Sequence, residues 1–228
     1  MGRVGRWFVV LGILAVGLMV TAPPAQAVIF DLTSCHISTG CPAPGTVFGT
    51  VELTQAGTRV DFTVTLNNGS TFVETGAGAD SLFVFNGTGI VASDIVNEAT
   101  NPVNVIPGGI DGFALGGAQA DGTGHWDFGI QCKTASDCNG GSTPDFSILT
   151  FGVLNSTIAD FTTTPNDGGN FFVADILCGQ GVAVCGGLTG PVDVSGPPSV
   201  PEPSTLLLLG GGLVGLGAVR RFVARHRS

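Results

Sequence analysis

The stretch that decides the fold is "TRVDFTVTL", residues 58–66. Val60, Phe62, Val64 and Leu66 alternate with Arg59, Asp61, Thr63 and Thr65, a period of two that turns one row of side chains to a core and the other to water. The segment reads as a half-buried strand. It runs into the turn sequence "NNGS" at 67–70 and then "TFVET", which predicts a second strand returning beside the first.

Outward from this strand, β-rich stretches recur at 47–53, 81–85, 110–115, 125–131, 146–154 and 171–178, each bounded by Gly, Asn, Asp or Pro. Turn signals every dozen or so residues give roughly eight to ten strands. No stretch sustains a 3.6-residue apolar period apart from a short turn at 92–99. With 37 glycines in the chain, the fold class is all-β, an antiparallel β-sandwich of jelly-roll-like type over 28–187. No internal repeat is present, and "GGAQADGTG" at 116–124 lacks the regular spacing of a calcium-binding β-roll. From Gly186 the sequence "GGLTGPVDVSGPPSVPEP" reads as an extended Pro/Gly-rich linker, assigned to 188–203.

The two ends differ from this body. Arg3 and Arg6 precede an apolar run from Trp7 to Val20, and Ala25 and Ala27 occupy the A-x-A positions, so residues 1–27 read as a signal peptide cleaved after Ala27. The apolar run holds only 14 residues, short for an anchor. Between Val28 and Val200 lie 16 acidic residues against two bases, Arg59 and Lys133, a net charge of −14. Such a body repels nucleic acid and anionic lipid head groups.

All six cysteines fall in the body, as Cys35 with Cys41, Cys132 with Cys138, and Cys178 with Cys185. Export, even number and paired spacing point to disulfides. Six cysteines allow 15 connectivities; local pairing is the expected one. No spacing is the C-x(2-4)-C that lets two thiolates turn onto one zinc ion.

Residues with catalytic chemistry are sparse. His36 and His125 sit in no nucleophile or metal motif. His36 is expected as a surface polar residue, and His125 on the strand face opposite Trp126. No enzyme activity and no cofactor or metal are expected. The clusters at 121–127, 136–145 and 165–169 supply oxygens that calcium prefers, but ordinary turn chemistry explains Asp, Asn and Gly there. The body's 13 Phe read as core, which leaves Trp126 as the candidate ligand platform for an alternative carbohydrate-binding role. A secreted hydrolase is a further alternative, requiring carboxylates or His125 to converge in space.

The chain ends in "VPEPSTLLLLGGGLVGLGAVRRFVARHRS", residues 200–228. Leu206 to Val219 spans about 21 Å as a helix, short of a hydrocarbon core of about 30 Å. With its flanks, 204–228 reads as a marginal transmembrane helix and a basic tail. Arg220, Arg221, Arg225 and Arg227 place that tail in the cytoplasm and the body outside. The ordered combination of Val200, Pro201, Glu202 and Pro203, an apolar Gly/Leu run and an Arg cluster resembles the PEP-CTERM sorting signal of exported bacterial proteins. The resemblance implies that an exosortase, an integral-membrane thiol peptidase, recognises the Pro-Glu-Pro region and removes the tail. It further implies passage through the export machinery, transient inner-membrane anchoring, and release to the cell surface or extracellular matrix of a Gram-negative bacterium that makes exopolysaccharide. The expected role is structural or adhesive, in a biofilm or similar matrix.

Overall fold

The computed structural model describes residues 26–37, 40–102, 106–139, 146–194 and 196. The alternating stretch forms β4 (Arg59–Leu66), with Val60, Phe62, Val64 and Leu66 buried and the residues between them half-buried. Gly57, at φ +66°, occupies the left-handed region open to glycine and turns β4 back from β3 (Gly49–Ala56), whose Gly49 lies opposite Leu66 and Ala56 opposite Arg59. On its other edge β4 pairs with β10 (Ile148–Leu154), from Ile148 opposite Thr65 to Leu154 opposite Arg59.

With both edges of β4 taken, the chain after "NNGS" has no room to return beside it. Asn68 and Gly69, at φ 57° and 71°, reverse the backbone, but β5 (Thr71–Phe72) leaves for a second sheet and pairs with β11 (Phe172–Leu177). The hairpin expected at this turn is therefore replaced by a crossing between sheets.

β1 (Ala27–Leu32) and β7 (Ile95–Asn101) complete the first sheet, in the order β1-β3-β4-β10-β7. The second sheet runs from β2 (Ser34–Cys35) through β12 (Thr189–Asp193), β11, β6 (Phe83–Phe85) and β9 (Gly124–Cys132) to β8 (Ile110–Ala120), with β5 beside β11. All strand pairings are antiparallel. Helix is confined, among the described residues, to α1 (Ala159–Thr162) and three single 3-10 turns, η1 (Gly76–Gly78), η2 (Ala92–Asp94) and η3 (Ala135–Asp137).

Two boundaries differ from those expected. The stretch 92–99 is not a turn throughout: η2 ends at Asp94 and β7 begins at Ile95. The body also continues past residue 187, because β12 lies between β2 and β11 and Val194 after it is buried. The Gly and Pro of "TGPVD" suggested a linker, yet every residue from Gly190 to Asp193 is buried.

The sheets meet through phenylalanine. Phe62 stacks on Phe151 of its own sheet at 4.5 Å and reaches Phe85 and Phe172 of the other at 5.5 and 6.0 Å. Phe30 on β1 meets Phe172 edge-on at 5.0 Å. Alternation along β6 and β11 turns Val84 and Val173 away from this core. With Ala120 and Trp126 they form a second, smaller buried cluster, flanked by Ala79 and Leu115. Loop segments thus cover part of the outer face of the second sheet.

Among the described residues no helix is long and apolar enough to cross a membrane. The expected span at 204–228 lies outside the described residues, as do the sorting tetrapeptide at 200–203 and all but the last two positions of the expected signal peptide. Ala27, the residue before the expected cleavage point, opens β1 opposite Thr54.

Candidate functional site

Three disulfides join the cysteines locally: Cys35–Cys41, Cys132–Cys138 and Cys178–Cys185, with Cα separations of 5.7, 6.1 and 5.7 Å. The first lies at the end of β2, where Cys41 is exposed. The other two are buried in the main apolar cluster. Cys178 Sγ closes a loop whose backbone is also tied, by Gly187 N–H to the Cys178 carbonyl and Cys178 N–H to the Leu188 carbonyl, both at 2.8 Å.

Each body histidine is paired with an aspartate distant in sequence. His36, which the sequence suggested as a surface residue, is half-buried, and its Nε2 lies 2.7 Å from Asp193 Oδ2 on β12. Ser34 Oγ approaches the same nitrogen at 3.3 Å. A relay from serine through imidazole to carboxylate needs the two partners on opposite ring nitrogens, so these three residues do not form one. Asp193 is fully buried, and burial raises its pKa more than His36 and Ser34 lower it.

His125 is exposed, as expected, and its Nδ1 lies 2.6 Å from Asp167 Oδ2, while its backbone N–H donates to Asp167 Oδ1 at 2.8 Å. These two hydrogen bonds hold the Asp167 carboxyl below the usual range. The loop carrying Asp167 is pinned to the β8–β9 turn by Asn166 and Asn170, whose side-chain amides each donate to the Thr123 carbonyl at 2.8 Å. Asn166 Oδ1 in turn accepts from the backbone N–H of Gly168 and Asn170. The oxygens at 165–169 considered for calcium are thus largely engaged in building the loop.

Two further carboxyl groups are buried. Asp175 on β11 is 1% exposed; its Oδ2 accepts from Thr75 N–H at 2.7 Å and from Thr75 Oγ1 at 2.5 Å. Glu74 Oε1 accepts from the Cys132 backbone N–H. Desolvation raises both carboxyls to about 7, with repulsion from Asp80 adding at Glu74 and repulsion from Glu74 adding at Asp175. Among the described residues, Asp175 Oδ1 and Asp193 Oδ1 are buried without a hydrogen-bond partner. The carboxylate of Glu74 and the sulfurs of Cys132 and Cys138 lie within 4.8 Å of one another, but both sulfurs are committed to their disulfide.

Trp126 is not a platform. It is fully buried in the second cluster, and its indole N–H donates to Thr123 Oγ1 at 3.1 Å. A ring covered on its faces and satisfied at its one donor has no surface to stack on a ligand. No phenylalanine among the described residues is exposed. The sequence reading missed Glu74, Asp175 and Asp193 because a buried acid looks like any other acid until its neighbours are known. The only local sign was their position beside apolar residues, Val73 before Glu74, Ala174 and Ile176 around Asp175, and Val192 and Val194 around Asp193.

Among the described residues the protein is a disulfide-bonded, antiparallel all-β body with almost no helix. Neither a characterised protein nor a solved structure matches the chain. A family model does: residues 199–221 match the PEP-CTERM protein-sorting motif. The chain therefore carries the sorting signal of an exosortase substrate, which is a signal for export and membrane-anchored sorting. The matched stretch contains Val200, Pro201, Glu202, Pro203, Arg220 and Arg221; Arg225 and Arg227 follow it.

Proposed function

We propose that this protein is exported through an N-terminal signal peptide, held briefly in the inner membrane of a Gram-negative bacterium by its tail, and released by an exosortase. Its β-sandwich then serves a structural or adhesive role at the cell surface or in an exopolysaccharide matrix. The observation that carries the reading is the sorting motif at 199–221.

The physical chemistry of the motif suits recognition. Pro201 and Pro203 fix an extended backbone that lacks two N–H donors, and Glu202 places one charge between them. The body fits the destination: three short-loop disulfides suit an oxidising compartment, and high negative charge keeps it soluble and away from anionic surfaces. A non-catalytic role is consistent with histidines that are each tied to one aspartate. With Trp126 buried, the carbohydrate-stacking alternative loses its named residue.

The test is the intact mass of the protein from wild-type cells and from cells lacking the exosortase. Loss of the C-terminal segment only where the peptidase is present supports the reading. An unshortened chain in wild-type cells refutes it.

A further inference from the structure

Glu74 lies against a disulfide that it reaches only through the fold. It is 58 residues from Cys132 in sequence, yet a carboxylate oxygen and the two sulfurs of Cys132 and Cys138 fall within 4.8 Å of one another, all in buried residues. The acid is held there at two points. Its Oε1 accepts from the Cys132 N–H, and its own N–H donates to the Cys138 carbonyl at 2.7 Å, which sets its backbone in a parallel bridge opposite Asn139. Cys41 differs: its Sγ faces the carbonyls of Cys35 and Ile37, at 3.0 and 3.7 Å. Among the described residues, Glu74 with Cys132 and Cys138 is the one group in which three such donor atoms meet.

We propose that Glu74 is the proton acceptor through which the Cys132–Cys138 disulfide closes in the folded body. Disulfides form by thiolate attack on a sulfur of an existing disulfide. During a local opening of the segment that covers it, one cysteine first exchanges with a disulfide oxidant, R–S–S–R, giving a mixed disulfide and releasing one R–S⁻. The Sγ–H of the other gives its proton to the Glu74 carboxylate, and its thiolate attacks the protein sulfur of the mixed disulfide. The Cys132–Cys138 bond forms, the S–R bond breaks, and the second R–S⁻ leaves with the electron pair. Two protein thiols are oxidised, one oxidant disulfide is reduced, and the two released thiolates recover the two protons, one of them by way of Glu74.

The environment of Glu74 suits this role. Burial, with repulsion from Asp80, raises its carboxyl to about 7, and the Cys132 N–H pulls the other way. Asp175 faces it as a second acid, close enough to feel its charge. A carboxylate of ordinary pKa is a weak base toward a thiol, and one raised toward neutrality is better matched. The proposal does not depend on the sorting reading, because it concerns only the body's own residues.

The test uses the full-length chain, reduced in urea, returned to native buffer and reoxidised with glutathione disulfide from pH 5.5 to 9. Thiols are trapped by alkylation, and each cysteine pair is followed by peptide mass. In the wild type, closure of Cys132–Cys138 should bend near pH 7, whereas the other two pairs should rise about tenfold per pH unit toward the ordinary thiol range. Glu74→Gln should slow this pair at least about tenfold at pH 7 and give it the slope of the others, while Cys35–Cys41 and Cys178–Cys185 keep their rates. Glu74→Asp should retain a bend. If Glu74→Gln fails to fold, the wild-type profiles decide. Three parallel profiles, or a Glu74→Gln chain that closes Cys132–Cys138 at the wild-type rate and slope or slows all three pairs alike, overturn the proposal.

Discussion

Asp175 sets the chemistry of its neighbourhood through one absent atom, the Cβ of Gly78. A methyl group there would lie 2.5 Å from Asp175 Cβ and 2.6 Å from its carboxyl carbon, inside any tolerated contact. Gly78→Ala therefore pushes η1 off β11 or displaces the carboxyl that Thr75 caps. Overpacking of this kind costs about 1–3 kcal/mol, measurable as a lower urea midpoint. Charge acts at the same place. Unfolded, Glu74 and Asp175 release their protons near pH 4, as ordinary carboxyls do; folded, they hold them to about 7. Between those values the native state binds more protons, so the stabilisation they supply is complete below about pH 4 and is lost as pH rises through about 7. Urea midpoints should fall from pH 5 to pH 8. Asp175→Asn keeps an oxygen for Thr75 but cannot ionise, so it should flatten that slope; an unchanged slope would remove Asp175 as its source. Asp167 works in the opposite direction at lower pH, because its lowered pKa contributes stability that is lost as pH falls through it.

At the scale of elements, Phe62 links more partners than any alternation pattern could reveal. Its ring contacts Phe85, Phe151, Phe161 and Phe172, drawn from β4's own sheet, from the facing sheet and from α1. Phe62→Ala should cost about 3–5 kcal/mol, against less than about 1.5 kcal/mol for a swap such as Phe62→Leu that keeps more of the volume and the apolar contact. β12 gives a second prediction. A chain ending after 187 would strip β2 and β11 of a shared neighbour and remove Val192 and Val194 from the core, whereas one ending after 196 keeps them. The shorter chain should lose its near-ultraviolet dichroism and the longer one should retain it. β4, β3 and β10 were legible because each carries its own period of two. β12 was not, since its place between two strands depends on partners 12 or more residues away, which also accept its Gly and Pro. β7 was lost to the η2 turn that precedes it, and the β5 crossing could be seen only once β10 was known to fill the far edge of β4. The candidate site was less legible still. The cysteine pairs were local and could be read, but His36 with Asp193 and Glu74 with Cys132 are separated by 157 and 58 residues, and no short-range pattern encodes such contacts.

For the whole molecule, what matters is how unevenly the three disulfides are protected. In the chain-entropy view each closes a loop small enough to contribute about 2 kcal/mol, so by loop length alone the three are equivalent. Their surroundings separate them. Cys41 is exposed and Cys35 lies at a two-residue edge strand, while Cys138 and Cys185 are completely buried and Cys132 and Cys178 nearly so. A reductant attacks a sulfur in line with the bond, so an exposed pair opens from the native state but a buried pair waits for local or global unfolding. Under a mild reductant the Cys35–Cys41 thiols should therefore be alkylated first, with the near-ultraviolet spectrum intact, and the other four cysteines only under conditions that also loosen the core. Replacing pairs with alanine extends the argument: Cys35→Ala with Cys41→Ala should cost about the loop term alone, whereas Cys178→Ala with Cys185→Ala adds the loss of buried sulfur packing and should lower the urea midpoint further. Simultaneous opening of all three bonds would mean that the body unfolds as one unit before any sulfur is reached, and the edge position of β2 would then give its disulfide no separate lability.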